Sequence, residues 1–233
     1  MRSALILSTL AAAACSAAAQ TTVLLDDFSE PDQTLKRNSI GTVSDTGVSA
    51  TAIAGAFREA GLEVHFSPFA VESVVEIDLD DTDTYSFASG AANTASSSLL
   101  YDAATEGLGL ELRSESVFDL SFLFADKDFE LTMTLLDAGG NQATATTAVP
   151  DTASQTLVQI TASELDAETG FDLGDISSVR FDFNVPTDLN PDRVAALDFI
   201  LDSISVTTPP IPAPASAAIA GAGLFAAGTR RRR

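Results

Sequence analysis

Short segments in which apolar and polar residues alternate constrain the fold of this chain more than any other feature. The segment FELTMTL (129–135) alternates without an error, and VRFDF (179–183) does the same. A period of two places successive side chains on opposite faces of a β-strand, so that one face is buried and the other solvated. Clusters of Gly, Asp, Asn and Pro separate such segments, and no long segment has the 3.6-residue period of a helix. The pattern predicts an all-β protein.

We predict about a dozen short strands arranged as an antiparallel β-sandwich. Segments 129–135 and 142–149 should form a hairpin around the turn DAGGN (137–141), and 117–124, which is apolar on both parities, should be a central strand. Segments 53–60 and 163–168 carry hints of helix, the latter with a serine cap at Ser163. The predicted strands are 23–28, 48–53, 62–66, 71–79, 96–101, 108–112, 117–124, 129–135, 142–149, 156–161, 179–183 and 195–206.

Acidic residues are concentrated in the segment 20–208, which we predict to be one folded domain. This segment carries all 33 acidic residues but only seven of the 12 basic ones, so its formal charge is −26. Nucleic acids and anionic membrane surfaces would be repelled and are not expected as partners. Cations, basic proteins and neutral or cationic glycans remain as partners. Solubility in a salty or calcium-containing exterior is the alternative explanation of the charge.

Residues 1–19 have the pattern of a secretory signal peptide that would form a helix ahead of the domain. Arg2 supplies the positive charge, 4–14 is a run of small and apolar residues, and Ala17 and Ala19 form an A-x-A cleavage site before Gln20. Lipoprotein processing at Cys15 is the alternative. Cleavage after Ala19 would remove the single cysteine and leave a mature chain without a thiol or disulfide. The chain is therefore predicted to be exported.

The last 25 residues combine a proline hinge (209–214), a short apolar span and a block of arginines within the segment 215–233. The span 215–228 has 14 residues. A helix of that length covers about 21 Å, less than the roughly 30 Å of bilayer hydrocarbon. The arginines favour a cytoplasmic position for the end of the span. This order suits a transient hold in the inner membrane through a short apolar helix, and a permanent anchor is the alternative. The arginines are Arg230, Arg231, Arg232 and Arg233.

This tail resembles a PEP-CTERM sorting signal, the bacterial C-terminal signal that is read by an exosortase, a membrane transpeptidase-like enzyme. The family pattern has Pro-Glu-Pro, whereas this chain has Pro212, Ala213 and Pro214. The short Ala/Gly-rich span and the terminal arginines match the family. The resemblance implies a transient encounter with an exosortase and delivery to the cell surface or the extracellular matrix.

The two ends of the domain are similar to the terminal strands of jelly-roll, carbohydrate-binding-like modules. VLLDDFSEPDQ (23–33) is similar to the opening strand and ALDFILDSISV (196–206) to the closing one. IAGAFR (53–58) resembles a stretch found in many surface proteins with PEP-CTERM tails. The resemblance implies a jelly-roll-like sandwich and makes extracellular polysaccharide a candidate partner.

The residue types argue against an enzyme, and we assign no catalytic residue. His65 is the single histidine, so a Ser-His-Asp triad would have to use it and a multi-histidine zinc site cannot form. Its position in a strand pattern predicts an edge or rim residue. The absence of tryptophan weighs against a deep sugar cleft, and most of the 14 phenylalanines occupy alternating positions that are typical of a core. Carboxylate pairs suited to glycoside hydrolysis are expected in any chain this acidic and do not discriminate.

Calcium is the one cofactor that the acidic residues suggest. Asp78, Asp80, Asp81 and Asp83 follow a predicted strand, where a loop could wrap around a hard cation. The motif lacks the glycine and the distal glutamate of an EF-hand loop. A solvated acidic turn is the alternative.

A second candidate calcium site joins Asp26 or Asp27 to Asp198 or Asp202, because modules of the resembling kind often hold calcium where their terminal strands meet. Asp198 and Asp202 share strand parity with Ile200 and Ile204. If that face is buried, a cation would offset the cost of burying the carboxylates.

These features predict an exported, non-catalytic β-sandwich that serves as a structural or adhesive component of the cell surface or matrix. A calcium-dependent carbohydrate-binding module and a glycoside-active jelly-roll enzyme are the alternatives.

Overall fold

Fourteen β-strands account for most of the chain that the computed structural model describes, which is residues 20–29, 32–49, 57–78, 82–102, 108–184 and 194–210. The residues from Thr21 to Pro209 form one compact unit. The strands are β1 Thr21–Asp26, β2 Gln33–Arg37, β3 Gly41–Ser49, β4 Phe57–Phe66, β5 Ser73–Ile77, β6 Tyr85–Ala88, β7 Thr94–Asp102, β8 Val117–Ala125, β9 Phe129–Asp137, β10 Gln142–Val149, β11 Thr156–Thr161, β12 Asp166–Ala167, β13 Ile176–Phe183 and β14 Asp198–Thr208.

The described strands form two sheets of seven. Sheet 1 has the order β11-β8-β14-β6-β5-β2, with β1 beside the far end of β14, and sheet 2 has the order β12-β10-β9-β13-β7-β4-β3. Every pairing within them is antiparallel. The prediction of an all-β, jelly-roll-like antiparallel sandwich is confirmed. The predicted signal helix and C-terminal apolar helix lie outside the described residues.

The hairpin of β9 and β10 has the register that alternation predicts, with Leu135 opposite Ala143. Its turn is held by the buried Asp137 carboxylate, which accepts hydrogen bonds from the Asn141 backbone N–H at 2.8 Å and the Asp172 backbone N–H at 3.0 Å. The Asn141 side chain, followed by these backbone donors, lowers the pKa of Asp137. One carboxylate therefore joins the hairpin turn to the loop that precedes β13.

The core between the sheets is aromatic, and Phe199 on β14 lies at its centre. Its ring stacks on Phe129 at a centroid distance of 5.0 Å and lies 5.1 Å from Phe183, both from sheet 2. Rings of sheet 1, including Phe87 at 5.3 Å and Phe122 at 5.8 Å, surround it. Aromatic pairs in this distance range add to the stability that burial of their area provides. Alternation thus places phenylalanines from both sheets in one core, as expected.

The strand prediction differs from the structure in several short or mixed segments, because neighbouring strands decide the conformation of such segments. β2 and β6 were missed, since each offers only two inward positions. Segment 108–112 is not a strand and makes one isolated bridge, from Leu110 to Ile176. Residues 57–60, part of a predicted helix, belong to β4, which pairs with β3 on one side and β7 on the other.

The second predicted helix is also corrected. The structure has a 3₁₀ turn over Ala162–Glu164, whose N-cap residue is Thr161 rather than Ser163. The Glu164 carboxylate accepts a hydrogen bond from the Thr161 backbone N–H at 2.8 Å. The chain then enters β12, which pairs with the edge of β10, so strand pairing replaces further helix.

A β-bulge in β14 changes which face its residues present. The register against β8 shifts between Ile200 and Leu201 and again between Leu201 and Ser203. Leu201 and Ile204 are therefore both buried although they are three residues apart. The shared parity of Asp198, Ile200, Asp202 and Ile204 therefore does not place them on one face, because a bulge inserts one residue into the alternation.

Candidate functional site

A buried ion pair crosses the sandwich close to one candidate calcium site. The Arg58 guanidinium on β4 donates to both oxygens of Asp26 at the end of β1, at 3.1 and 2.9 Å, and both side chains are almost fully buried. The Tyr101 hydroxyl donates to Asp26 at 2.9 Å, and Arg58 Nε donates to Gln33 Oε1 at 3.1 Å. The Phe28 backbone N–H also donates to Asp26, at 2.8 Å. Asp26 is thus bonded from both sheets.

This network supplies the positive charge that we expected calcium to supply at Asp26. A buried carboxylate is costly unless it is paired and hydrogen-bonded. Arg58 gives that pairing, and burial followed by the neighbouring Asp26 raises the pKa of Tyr101, which keeps its hydroxyl a donor. At Asp26 a guanidinium therefore offsets the buried negative charge, and calcium binding between the terminal strands stays a prediction.

The other aspartates of the terminal strands have local partners and different surroundings. The Asp27 carboxylate accepts from the Ser29 hydroxyl at 2.7 Å and the Ser29 backbone N–H at 3.1 Å, and these bonds lower the pKa of Asp27. Asp202 lies half-buried at the bulge. Asp198 is exposed at the start of β14. The structure does not bring Asp198 to the buried face that the sequence argument assumed.

The acidic turn between β5 and β6 is described only in part, because Asp80 and Asp81 lie outside the described residues. Asp78 and Asp83 both have left-handed backbone conformations, with φ of 53° and 50°. The Asp83 backbone N–H donates to the Asp78 carboxylate at 3.2 Å. Within the described part of the chain, no group of three or more acidic, histidine or cysteine side chains could hold a metal ion. Calcium binding at this turn therefore stays a prediction.

A hollow of about 210 Å³ lies on the outer face of sheet 1, across β5, β6, β14 and β8. Antiparallel register places Ile200 opposite Ser86 on β6, and Ser86 opposite Glu76 on β5. The outward side chains of β6, Ser86 and Ala88, are small, so the surface dips between the longer side chains of its neighbours. The lining residues are Val74, Glu76, Ser86, Phe87, Ala88, Phe124, Asp198, Phe199 and Ile200.

The hollow has an apolar floor and a polar rim. Val74, Ala88, Ile200 and Phe124 provide aliphatic and aromatic surface, and all four are half-buried. The rim carries the Ser86 hydroxyl and the Glu76 and Asp198 carboxylates. No sequence pattern had brought these two carboxylates together at one site.

Electrostatics differ between the two carboxylates of the rim. Lys36 Nζ lies 3.9 Å from Glu76 and also 3.9 Å from Glu72, on the exposed surface, where such pairs are weak. Partial burial raises the pKa of Asp198, and the Asp126 carboxylate raises it further. Lys127 and a backbone hydrogen bond from Ser89 act in the opposite direction, so they offset the negative charge on Asp198 only in part.

His65, which was predicted to be an edge or rim residue, lies on the outer face of sheet 2 next to the last residue of β4. Since β4 is flanked by two strands, His65 is near the rim of the sheet and not on an edge strand. Its Nε2 is 2.8 Å from Ser96 Oγ, and its Nδ1 is 3.4 Å from Glu63 Oε1. This series resembles a hydroxyl–imidazole–carboxylate relay in composition. However, Ser96 is only 5% exposed, and it is paired with Glu63 of β4 in the interior strand β7. The arrangement therefore satisfies a half-buried histidine.

The predicted processing residues lie almost wholly outside the described chain. Ala17 and Ala19 precede it, and the sorting residues Pro212, Ala213, Pro214 and the four arginines follow it. Gln20 is exposed and has no regular structure. Among the described residues there is no helix with the length and hydropathy needed to cross a bilayer.

The structure is therefore a two-sheet antiparallel β-sandwich with a hollow on the outer face of sheet 1. No protein-family model matches this chain, and no curated protein matches it. Among solved structures it is similar to a family 11 carbohydrate-binding module from Clostridium thermocellum in complex with a β-1,3-1,4-mixed-linked tetrasaccharide, at 11% identity, 82% and 98% coverage of the two chains and a TM-score of 0.40.

Two further structures have comparable values. A family 30 carbohydrate-binding module of a cellulosomal cellulase of Clostridium thermocellum matches at 12% identity, covers 76% of this chain and 98% of the other, and has a TM-score of 0.38. A family 61 module in complex with β-1,4-galactotriose matches at 12% identity, with 71% and 86% coverage and a TM-score of 0.32. The chain is thus similar in architecture to jelly-roll carbohydrate-binding modules.

Proposed function

We propose that this chain is a non-catalytic, exported β-sandwich that binds a saccharide in the hollow on the outer face of sheet 1. The observation that carries the proposal is the combination of an apolar floor with a hydroxyl and two carboxylates at one concave place. Ligand sites for small molecules have this composition, with apolar lining and a few polar groups that fix orientation.

The floor suits the carbon face of a sugar ring. Phe124, Ile200 and Val74 lie on adjacent or nearby strands and present apolar surface side by side. A pyranose ring has C–H groups on its faces and hydroxyl groups at its edges, so it would bury its face against the floor. The volume of about 210 Å³ is below the range of drug-sized pockets and corresponds to about one ring.

The rim suits the hydroxyl groups at the edge of the same ring. Glu76 and Asp198 are acceptors when ionised, and Ser86 can donate or accept. Hydrogen bonds to charged acceptors are the stronger kind, so the carboxylates would orient the sugar.

The position of the hollow also suits a tethered domain. Thr21 lies opposite Thr208, so the two chain ends leave the domain side by side. The hollow is at the other end of β14, beside Asp198, and the eleven residues of that strand span roughly 35 Å. A domain tethered through Pro209 would present the hollow away from its attachment point.

Binding is tested by titrating the purified full-length chain with tetrasaccharides of different sugars in a calorimeter. Phe124→Ala removes aromatic surface from the floor, and Ala88→Leu fills the hollow without deleting a contact. We expect both variants to lose affinity at least about tenfold, or about 1.4 kcal/mol. Leu157→Ala is the matched control, since Leu157 is an apolar residue 55% exposed in β11, the edge strand of sheet 1, and does not line the hollow.

Two results would overturn the proposal. One is that no saccharide binds to the wild-type chain. The other is that a saccharide binds and Ala88→Leu leaves its affinity unchanged, because a ligand in the hollow cannot coexist with a leucine there. The melting temperature of each variant separates loss of the site from loss of the fold.

Export and sorting by an exosortase-type system are part of this proposal and rest on the signal-peptide and tail patterns. Mass spectrometry of the protein from its native cells provides the test. We expect an N-terminus at Gln20 and a C-terminus near Pro212, which would place the mature protein at the cell surface or in the matrix. An intact Arg233 would show instead that the tail remains as an anchor.

Hydrolysis of a glycosidic bond is a second candidate function at the same hollow. It is favoured by the presence of two carboxylates, Glu76 and Asp198, at one hollow, and partial burial raises the pKa of Asp198 in the direction that general-acid chemistry uses. In that case the wild-type chain would release reducing sugar from a bound polysaccharide, and Asp198→Asn would bind it without release. Binding without release by the wild-type chain would assign the hollow to binding alone.

A further inference from the structure

We propose that the saccharide held by the hollow carries a free amino group, as in a deacetylated hexosamine polymer. This inference rests on the proposed saccharide site and specifies its substrate class. It is carried by the placement of two carboxylates on the rim of an apolar hollow, with a third beside one of them.

Acidic side chains outweigh basic ones around the hollow. Glu76 and Asp198 line it, and Asp126 adjoins Asp198, since the Asp198 backbone N–H donates to the Asp126 carboxylate at 2.8 Å. The cations nearby are Lys36, which is shared between Glu76 and Glu72 at 3.9 Å from each, and Lys127, whose ammonium is occupied by two backbone carbonyls at the start of the 195–197 segment. The rim therefore keeps an excess of negative charge.

The excess of negative charge at the rim favours some saccharides over others. A uronic acid would add a carboxylate to a site that already holds several, within a domain of formal charge −26. A neutral sugar would bring no positive charge to Asp198, whose carboxylate is offset only in part by Lys127. An ammonium group at the ring edge would lie against Glu76 or Asp198 while the ring face covers the floor, so an amino sugar meets both halves of the site.

The hollow fits an amino sugar better than a bare cation. The described residues contain no group of three acidic side chains that could hold a metal ion, and the floor of the hollow consists of apolar side chains that cannot ligate one. Apolar floor area contributes only when the cation is attached to an apolar body. The geometry therefore points to an ammonium carried on a ring.

The test compares four tetrasaccharides on the full-length chain by calorimetry: one of glucosamine, one of N-acetylglucosamine, one of glucose and one of galacturonic acid. We expect the glucosamine tetramer to bind tightest and the galacturonate not to bind. Glu76→Gln and Asp198→Asn should each weaken glucosamine binding about three- to fivefold more than they weaken binding of the glucose tetramer, because glucosamine loses an ion pair and glucose loses only a charged hydrogen-bond acceptor.

Asp166→Asn is the matched control, because it removes one negative charge from an exposed position of sheet 2. If it weakens glucosamine binding as much as the rim variants do, the attraction is that of the whole acidic domain and the inference is wrong. If the neutral tetramers bind as tightly as glucosamine and Ala88→Leu abolishes their binding, the saccharide site stands and the amino-sugar inference falls. If no tetramer binds, both proposals fail.

Discussion

Replacing Asp26 by asparagine tests whether the buried ion pair to Arg58 stabilises the sandwich. Asparagine keeps the size of the side chain and an acceptor for the Phe28 backbone N–H, which lies 2.8 Å from Asp26. It removes the negative charge 2.9 Å from a guanidinium that is fully buried. The variant therefore isolates the charge from packing and from the local turn.

The expected cost follows from what the substitution leaves behind. Removing one partner of a buried pair typically costs about 3 to 5 kcal/mol, because the buried Arg58 guanidinium loses the attraction of the Asp26 carboxylate that offsets part of the cost of its burial. Tyr101→Phe removes one 2.9 Å hydrogen bond to the same carboxylate and should cost about 1.5 to 3 kcal/mol. Because domains of this kind unfold with about 5 to 15 kcal/mol, both variants should still fold and be measurable.

Urea denaturation of the variants, with the double variant Asp26→Asn/Arg58→Met, measures the pair directly. We expect the double variant to be less destabilised than the sum of the single changes by about 2 kcal/mol, within the range for residues in contact. Asp27→Asn is the matched control and should change the free energy of unfolding by no more than about 1 kcal/mol, since its carboxylate bonds only to the adjacent turn. Simple additivity, or a cost for Asp26→Asn similar to that of the control, would refute the reasoning.

Three further predictions concern the turns. The pKa of Asp137 is lowered from 3.8 in the folded state, so the ionised carboxylate stabilises the fold above pH 3.8. This stability is lost as the pH falls through the folded-state pKa. Asp137→Asn should therefore remove this part of the acid sensitivity of the free energy of unfolding. Gly90→Ala should destabilise the fold by about 2 to 4 kcal/mol, because Gly90 has a φ of +62° and a Cβ there would lie 2.4 Å from the Glu72 carbonyl oxygen. Gly109→Ala is the control: Gly109 has a φ of +63° but open space around it, so the change should cost only about 1 to 2 kcal/mol. Equal costs of the two variants in urea denaturation would contradict the clash at Gly90. Calcium added to chelator-treated protein should raise the melting temperature if the acidic turn between β5 and β6 binds it, and no shift would end that hypothesis.

The two calcium hypotheses show how far residue pattern reaches. The sequence correctly placed Asp26 and Asp198 on the two terminal strands, which pair as antiparallel neighbours. It could not show that Arg58, 32 residues further along the chain, points into the core between the sheets to meet Asp26. A buried arginine inside the alternating segment RxAxLxV (58–64) was the available signal, since a charge on an inward position requires a partner.

The hollow shows the opposite limit. The side chains that line it do not form a recognisable motif in the sequence, and β6 was not predicted at all. The site exists because antiparallel pairing sets Ser86 between Glu76 and Ile200, and because β8 brings Phe124 to the far side of Ile200. Ile200 is 114 positions from Ser86 and 76 from Phe124 in the sequence, so local periodicity carries no information about their meeting.

The sequence by itself determined the secondary structure class, the sandwich architecture and the phenylalanine core, because side-chain alternation is a local property that each strand carries independently. The order of strands in the two sheets, the bulge at Asp202, the ion pair across the core and the hollow were decided only in the tertiary structure. These features depend on which strands become neighbours and in which register, and that choice is made by the packing of the whole chain.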